Sequence, residues 1–287
     1  MDRTRIAAIL AERKEPAFRM RQIEDAVYKH KVAHFSDITT LSKELRTALA
    51  AAPTLVLDPA YTAQSKDGTI KVLFRLQDGK EIEAVMIPNN EFRTVCVSSQ
   101  VGCAMKCGFC ATGTLGFTRN LTADEIVDQV LHFERLLAAR NPAEKVSNVV
   151  FMGMGEPLQN LEAVFGAVDC MNDEQGLGLG ARRISISTCG IVPGILKLAD
   201  YPKQVNLAIS LHAPNDAVRS KIMPVNKAYP IETLMQACKT YLEKTNRKLF
   251  VEYVMLQGVN DSPALARELA ELLHPFVPLV QVNLIPF

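Results

Sequence analysis

The chain has 287 residues, 48% of them hydrophobic, and a formal net charge of +1. That length suits one large domain plus a small one around a sizeable core, and the near-zero charge excludes a molecule that is basic all over, so a polyanion would have to meet a local patch. No run of about 18 apolar residues marks a transmembrane helix, and the charged start MDRTRIAAILAERKEP lacks a signal-peptide core. Four of the seven cysteines fall between positions 96 and 110. That clustering argues against a secreted disulfide framework and for a metal or redox site in a reducing cytoplasm, with no membrane partner.

Residues 1–53 are expected to form a helical domain. In EPAFRMRQIEDAVYKH, the residues Phe18, Ile23, Ala26 and Val27 fall near helical spacing, and a second amphipathic stretch runs from Ser42 to Ala51. Residues 1–51 carry ten Lys/Arg against seven Asp/Glu. A solvated helical face and a phosphate-contacting face both fit that excess. Residues 54–91 change to a period of two. TIKVLFRLQDGKEIEAVMIP reads as two strands joined at Asp78-Gly79, a pair that tolerates the left-handed backbone of a tight hairpin turn. Asp67-Gly68 marks an earlier turn, so this part reads as a small β-meander or hairpin extension.

From residue 92 to residue 287 short apolar runs recur: RTVCVSS, SNVVFMG, RISISTC, VNLAISLHA, KLFVEYVML and LVQVNLIPF. Helical stretches lie between them. One begins at Thr122, with Glu125 completing a capping box, and presents Ile126, Val127, Val130, Leu131 and Leu137 on one face. Six strands alternating with helices imply parallel βαβ units, hence an α/β fold with a partial (β/α)6 barrel. The period alone does not separate a barrel from an open sheet. Either way the chemistry belongs at the C-terminal ends of the strands.

The strongest chemical signal is CAMKCGFC, residues 103–110, which puts Cys103, Cys107 and Cys110 on one short loop. Thiolates are soft ligands that suit iron–sulfur clusters or zinc. A four-iron cube held by three protein thiolates keeps one iron open, whereas a structural zinc needs a fourth protein ligand, and no histidine follows at zinc-finger spacing. GMGEP, after the second strand, combines glycines that let backbone approach closely with a carboxylate suited to an ammonium group; on its own it is also an ordinary turn. Taken alone, Cys96 reads as a small buried hydrophobe and His212 as a satisfied structural histidine. Cys170 and Cys238 read as core, and Cys189 ends a strand near the expected active face.

The spacing Cys-x3-Cys-x2-Cys, with Phe109 before the last cysteine, resembles the radical S-adenosylmethionine (SAM) superfamily. Together TVCVSSQVGCAMKCGFCATG, VVFMGMGEPLQN, RRISISTCGIVP, ISLHAPND, PVNKAYPIETL, EYVMLQGVND and VNLIPF look like the RlmN/Cfr family of adenosine methyltransferases. MGEPLQN and SLHAPND are more similar to its RlmN branch. The resemblance implies a radical SAM barrel carrying a [4Fe–4S] cluster and SAM. It implies methylation of adenine carbon 2 in 23S ribosomal RNA and in tRNA, with an electron donor such as flavodoxin or ferredoxin. Cys103, Cys107 and Cys110 would ligate the cluster. Gly155, Glu156, Ser187, Ser210, Leu211 and His212 would contact SAM. Cys96 would resolve a covalent intermediate with the RNA, and Glu83 matches a position proposed as a proton acceptor. The family's methyl-carrying cysteine lies in a motif like Ala-Cys-Gly-Gln-Leu, which is absent here, as is the asparagine expected after VNLIP for the SAM ribose. The chain therefore reads as truncated at its C-terminal side. Alternatives are carbon-8 methylation of the Cfr type, or a radical SAM enzyme for a small molecule or peptide.

Overall fold

The computed structural model describes residues 1–287. Its strands are β1 (Leu57–Gln64), β2 (Ile70–Leu76), β3 (Glu81–Asn89), β4 (Phe92–Cys96), β5 (Gln100–Gly102), β6 (Phe117–Asn120), β7 (Asn148–Phe151), β8 (Ile184–Thr188), β9 (Asn206–Ser210), β10 (Leu249–Met255) and β11 (Val280–Pro286). Its α-helices are α1 (Arg3–Glu12), α2 (Phe18–Glu24), α3 (Lys43–Leu49), α4 (Ala111–Thr114), α5 (Ala123–Arg140), α6 (Leu161–Asn172), α7 (Val192–Ala199), α8 (Asp216–Ile222), α9 (Ile231–Thr245) and α10 (Pro263–Leu273). The chain divides into two compact units, neither continuous in sequence. The first comprises residues 1–98, 121–149 and 162–180, the second 99–120, 150–161 and 181–287.

In the first unit, α1 starts at Asp2, whose carboxylate caps Arg5 N at 2.9 Å, and buries Ile6 and Leu10. Helix α2 continues as a π-helical turn over Asp25–Lys29, so that Ile23, Ala26, Val27 and Tyr28 all face inward. Phe18 departs from the expected apolar face. It is 55% exposed, because it opens the helix ahead of the packed turns, and the Arg19 guanidinium covers its ring at 4.9 Å. Ser42 caps α3 through Leu45 N. The strands β1 to β4 form an antiparallel meander. At both expected turns only the glycine is left-handed, Gly68 at φ 87° and Gly79 at φ 78°. The loops therefore close through one bulged glycine rather than a two-residue left-handed turn. At the second turn, Leu76 N bonds Lys80 O and Gly79 N bonds Leu76 O.

Helix α5 follows its sequence pattern. Ile126, Val127, Val130, Leu131 and Leu137 are buried, and the capping box is complete: Glu125 N bonds Thr122 Oγ1 at 3.1 Å while Thr122 N bonds Glu125 Oε2 at 2.9 Å.

In the second unit, β8, β9, β10 and β11 pair in parallel, in that order. Ile184 and Ile186 on β8, Leu207, Ala208 and Ile209 on β9, and Leu249 and Val251 on β10 are fully buried. Burial of both faces is what a parallel sheet covered by helices requires. The α7–α9 pair supplies the cover, burying Ile195, Leu198, Leu234, Ala237 and Tyr241, and the Tyr241 hydroxyl donates to Val205 O at 2.7 Å. The succession of strand and helix is that of a partial β/α barrel. One element had no sequence signal: a two-stranded hairpin, β5 with β6, brackets the cysteine loop. Thr122→Ala should lower stability by about 1 kcal/mol, read as a lower urea midpoint, and Thr122→Ser should restore most of it.

Candidate functional site

Because the strands of the second unit are parallel, their C-terminal ends lie on one edge, and the loops leaving them meet there. The cysteine loop leaves β5 through Gly102, which is left-handed at φ 74°. A Cβ on Gly102 would lie 1.8 Å from Gly116 O, so only glycine admits the bond from Cys103 N to Gly116 O at 2.9 Å. Lys106 is also left-handed, at φ 53°, and the bond from Cys110 N to Cys107 O closes the loop. Gly108 N then ties the loop to Ile222 O at 2.8 Å.

The loop after β7 is stitched to β5. Ser99 N and Gln100 N both donate to Met154 O, and Glu156 N donates to Gln100 Oε1 at 2.8 Å. Gly155 sits at φ 100°, and a Cβ there would lie 2.5 Å from the Gln100 Cβ. The Glu156 carboxylate is buried, 3% exposed. One oxygen accepts from Leu158 N at 3.0 Å and the other from Cys189 N at 2.8 Å. Burial pushes its pKa up, and these N–H bonds oppose the rise.

At the ends of β9 and β10, His212 is left-handed at φ 56° although it carries a side chain. Its N donates to Glu252 O, its O accepts from Asn260 Nδ2 at 2.8 Å, and its Nδ1 accepts from Val254 N at 3.0 Å. An accepting Nδ1 places the imidazole proton on Nε2. The Phe109 ring meets the imidazole edge to face at 4.6 Å. Burial, with the charge of Arg219, drives the His212 pKa down to about 3.

These loops enclose a cavity of about 260 Å³. Cys103, Cys107, Cys110, Gly155, Glu156, Ser187, Ser210 and His212 line it, together with the apolar Met105, Phe151 and Met223. Leu211 does not line it; its side chain is fully buried, and its N bonds Glu252 O. Cys96 and Glu83 belong to the first unit and are not among the lining residues. Cys96 ends β4 opposite Val85, and Glu83 pairs with Lys71 at 2.8 Å on an exposed face. Sequence reading passed over Glu252, a lining carboxylate that accepts from Asn283 Nδ2 at 2.9 Å. A single acid in the apolar run FVEYVM was the available signal.

The seven cysteines form no disulfide. Burial raises the Cys103 pKa, and burial with the charges of Cys110 and Cys103 pushes Cys107 up to about 12. Three neighbouring thiolates repel one another, so ionising them together requires a cation among them. Three soft thiol donors lining one partly apolar cavity suit a thiolate-bound metal centre, an iron–sulfur cluster among them.

Comparison with known proteins agrees with this geometry. Residues 97–269 match the model of the radical SAM superfamily, and residues 1–54 match the ribosomal RNA large subunit methyltransferase N-terminal domain. The chain is 48% identical over 280 residues to the dual-specificity RNA methyltransferase RlmN of Desulfotalea psychrophila, covering 95% of this chain and 76% of that protein. It is 44% identical over 285 residues to a probable dual-specificity RNA methyltransferase RlmN of Listeria welshimeri, covering 99% and 78%. The crystal structure of a radical SAM methyltransferase from Sphaerobacter thermophilus superposes with a TM-score of 0.90 at 48% identity, covering 96% of this chain and 80% of that one.

Two measurements check the site. The His212 imidazole should stay neutral from pH 8 to pH 5 when followed by NMR; a midpoint near 6.5 would contradict the burial argument. Since its folded pKa lies near 3, below the ordinary 6.5, its share of stability is full above about pH 6.5 and is lost as the pH falls toward 3. Gly155→Ala should disrupt the β7 loop, because its Cβ meets Gln100 and its φ is left-handed. The thiols of Cys107 and Cys110 should then react measurably faster with a maleimide probe than in the parent protein.

Proposed function

The chain belongs to the RlmN family of radical SAM RNA methyltransferases, and on that premise we propose that it carries the cluster- and SAM-binding part of a reaction that methylates carbon 2 of an adenosine in 23S ribosomal RNA and in tRNA, a reaction that also needs the methyl-carrying cysteine absent from residues 1–287. A radical SAM barrel uses SAM and an iron–sulfur cluster. The observation that carries the reading is the sharing of one cavity by the three loop cysteines and by Gly155, Glu156, Ser187, Ser210 and His212. Cys103, Cys107 and Cys110 are the residues proposed to hold a [4Fe–4S] cluster. When bound, that cluster supplies the electron for reductive cleavage of SAM.

The chain's own groups then have definable roles. Glu156 accepts from the backbone N–H groups of Leu158 and Cys189 and from the side chains of Cys189 and Thr188, and its negative charge suits the ammonium group of SAM beside the close backbone of Gly155. Ser187 and Ser210 offer hydroxyls at the ends of β8 and β9. His212, fixed as the Nε2–H tautomer, offers a donor. Phe109 and Met105 bring apolar surface to the same loop and limit water there. Cys96 and Glu83 keep their proposed roles toward the RNA, as thiol and as proton acceptor.

The excess of basic residues in the N-terminal helices suits phosphate contacts. Arg19 and Lys29 already pair with Glu15 and Asp25, whereas Arg21 makes no such bond, so it is the first candidate among them. No helix is long and apolar enough to cross a membrane.

Anaerobic reconstitution should load about four irons per chain with broad visible absorption. Cys103→Ala, Cys107→Ala and Cys110→Ala should each abolish it, and Cys170→Ala should not. Deleting the gene from its host should remove 2-methyladenosine from large-subunit ribosomal RNA and from tRNA, read by mass spectrometry of nucleosides. A zinc-only protein, or RNA with its 2-methyladenosine intact, would overturn the reading.

A further inference from the structure

Arg219, on α8, is among the largest fully buried side chains. Four of its N–H donors are engaged. Nε bonds Leu211 O at 3.0 Å, one terminal nitrogen bonds Asn226 Oδ1 at 2.8 Å, and the other bonds Cys189 O at 2.6 Å and Ser210 O at 3.0 Å. Every acceptor is neutral. The carboxylate that bears on it, Asp216, is held at one remove, through Asn226 Nδ2 at 2.8 Å. A buried guanidinium without a bonded carboxylate is costly, and apolar residues could fill its volume, so its placement calls for a reason.

The same short helix reaches the cysteine loop. Gly108 N bonds Ile222 O at 2.8 Å, and Ile222, Met223 and Cys189 pack against Met105, Cys107 and Phe109. Helix α8 thus joins the loop of Cys103, Cys107 and Cys110 to the strand ends that carry Ser187 and Ser210. Its Arg219 guanidinium bonds the carbonyls of Cys189 and Ser210, two residues that line the cavity together with those cysteines.

We propose that Arg219 is a positioning residue with an electrostatic role. It frames the carbonyls of Cys189, Ser210 and Leu211 against the cysteine loop, and its charge eases one-electron reduction of the cluster. This rests on the reading of the cavity as a cluster and SAM site. Reduction adds one electron, taken from an external donor of the flavodoxin or ferredoxin class, and leaves the cluster more negative by one charge. A buried cation without a bonded anion stabilises that form, since net local charge is one of the quantities that set cluster potentials.

The test uses the reconstituted parent protein, Arg219→Gln and Arg219→Lys, reduced with dithionite through mediators and followed by electron paramagnetic resonance. Iron content is read first, and a parent protein without iron–sulfur absorption overturns the cluster reading itself. With iron loaded, Arg219→Gln should make reduction at least tenfold less favourable, a potential lower by about 59 mV for one electron. Arg219→Lys keeps the charge and should stay within threefold of the parent, while losing the planar fork and at least tenfold in SAM affinity by calorimetry. A purely structural role would lower the melting temperature of both variants without moving the potential, and that result overturns the inference. So does an equal shift in both variants. If Arg219→Gln fails to load iron, Arg219→Met, also without charge, takes its place: a potential at least tenfold less favourable supports the proposal, and one like the parent's overturns it.

Discussion

Where a buried parallel sheet ends, the last peptide groups lose their ladder partners but still require hydrogen bonds. In the second unit two buried ionic side chains of opposite sign meet that requirement. Glu156 takes the N–H groups of Leu158 and Cys189, and Arg219 gives to the carbonyls of Cys189, Ser210 and Leu211. Cys189 is therefore held from both sides, its N by the carboxylate at 2.8 Å and its O by the guanidinium at 2.6 Å. Loops leaving strand ends are ordinarily the mobile part of an α/β fold. Here their backbones are fixed by charge-assisted bonds, the stronger kind, and the cavity keeps its shape because its rim is bonded into the core.

That bonding also supports local strain. His212 adopts a left-handed backbone, which costs a non-glycine residue about 1–2 kcal/mol. Three of its polar groups are engaged by Glu252, Asn260 and Val254, and Asn260 is itself fixed by bonds to Val254 O and from Leu256 N. The surroundings over-determine the residue, as strained positions at functional sites require. The outcome is chemical as well as conformational. With Nδ1 committed to Val254 N and the ring kept neutral by burial, the imidazole has one tautomer.

Much of this was legible in the sequence, and the reasons for success and failure are physical. Six apolar runs gave β4, β7, β8, β9, β10 and β11, most clearly at β8, β9 and β10, where burial of both faces leaves an uninterrupted apolar signature. The capping box at Thr122 and the glycines of the two hairpin turns are local codes, readable within five residues. The cysteine loop declared itself by spacing alone. Arg219 and Glu252 were silent, because an isolated charge in a sequence looks the same whether it is solvated or buried, and only the fold decides which carbonyls it meets. Phe18 failed for the opposite reason: helical periodicity assigned it a face, but at the first turn of α2 there is nothing to pack against. Leu211 lies between two residues that line the cavity yet is itself fully buried, because the chain turns just past the end of β9, with the backbone N–H groups of Leu211 and His212 both bonded to Glu252 O.

A fourth sulfur, that of Cys189, lines the same cavity as the three loop cysteines, and its exclusion from the ligand set follows from charge. Its pKa is raised well above the ordinary thiol value, first by burial and then by the Glu156 carboxylate, to which the thiol is also hydrogen-bonded. A thiolate there would face a fixed negative charge at close range in a dry environment. For Cys107 the larger contributions after burial come from Cys110 and Cys103, and for Cys103 the Glu156 carboxylate contributes as well; the part owed to neighbouring thiols reverses as soon as a shared cation neutralises all three. The repulsion among the three is thus relieved by the bound metal, while that between Cys189 and Glu156 is built into the protein. On this reasoning Cys103, Cys107 and Cys110 are the thiols that would ligate the proposed cluster, and Cys189 would stay protonated beside them. Glu156, which holds Cys189 neutral, is the same group proposed to receive the SAM ammonium.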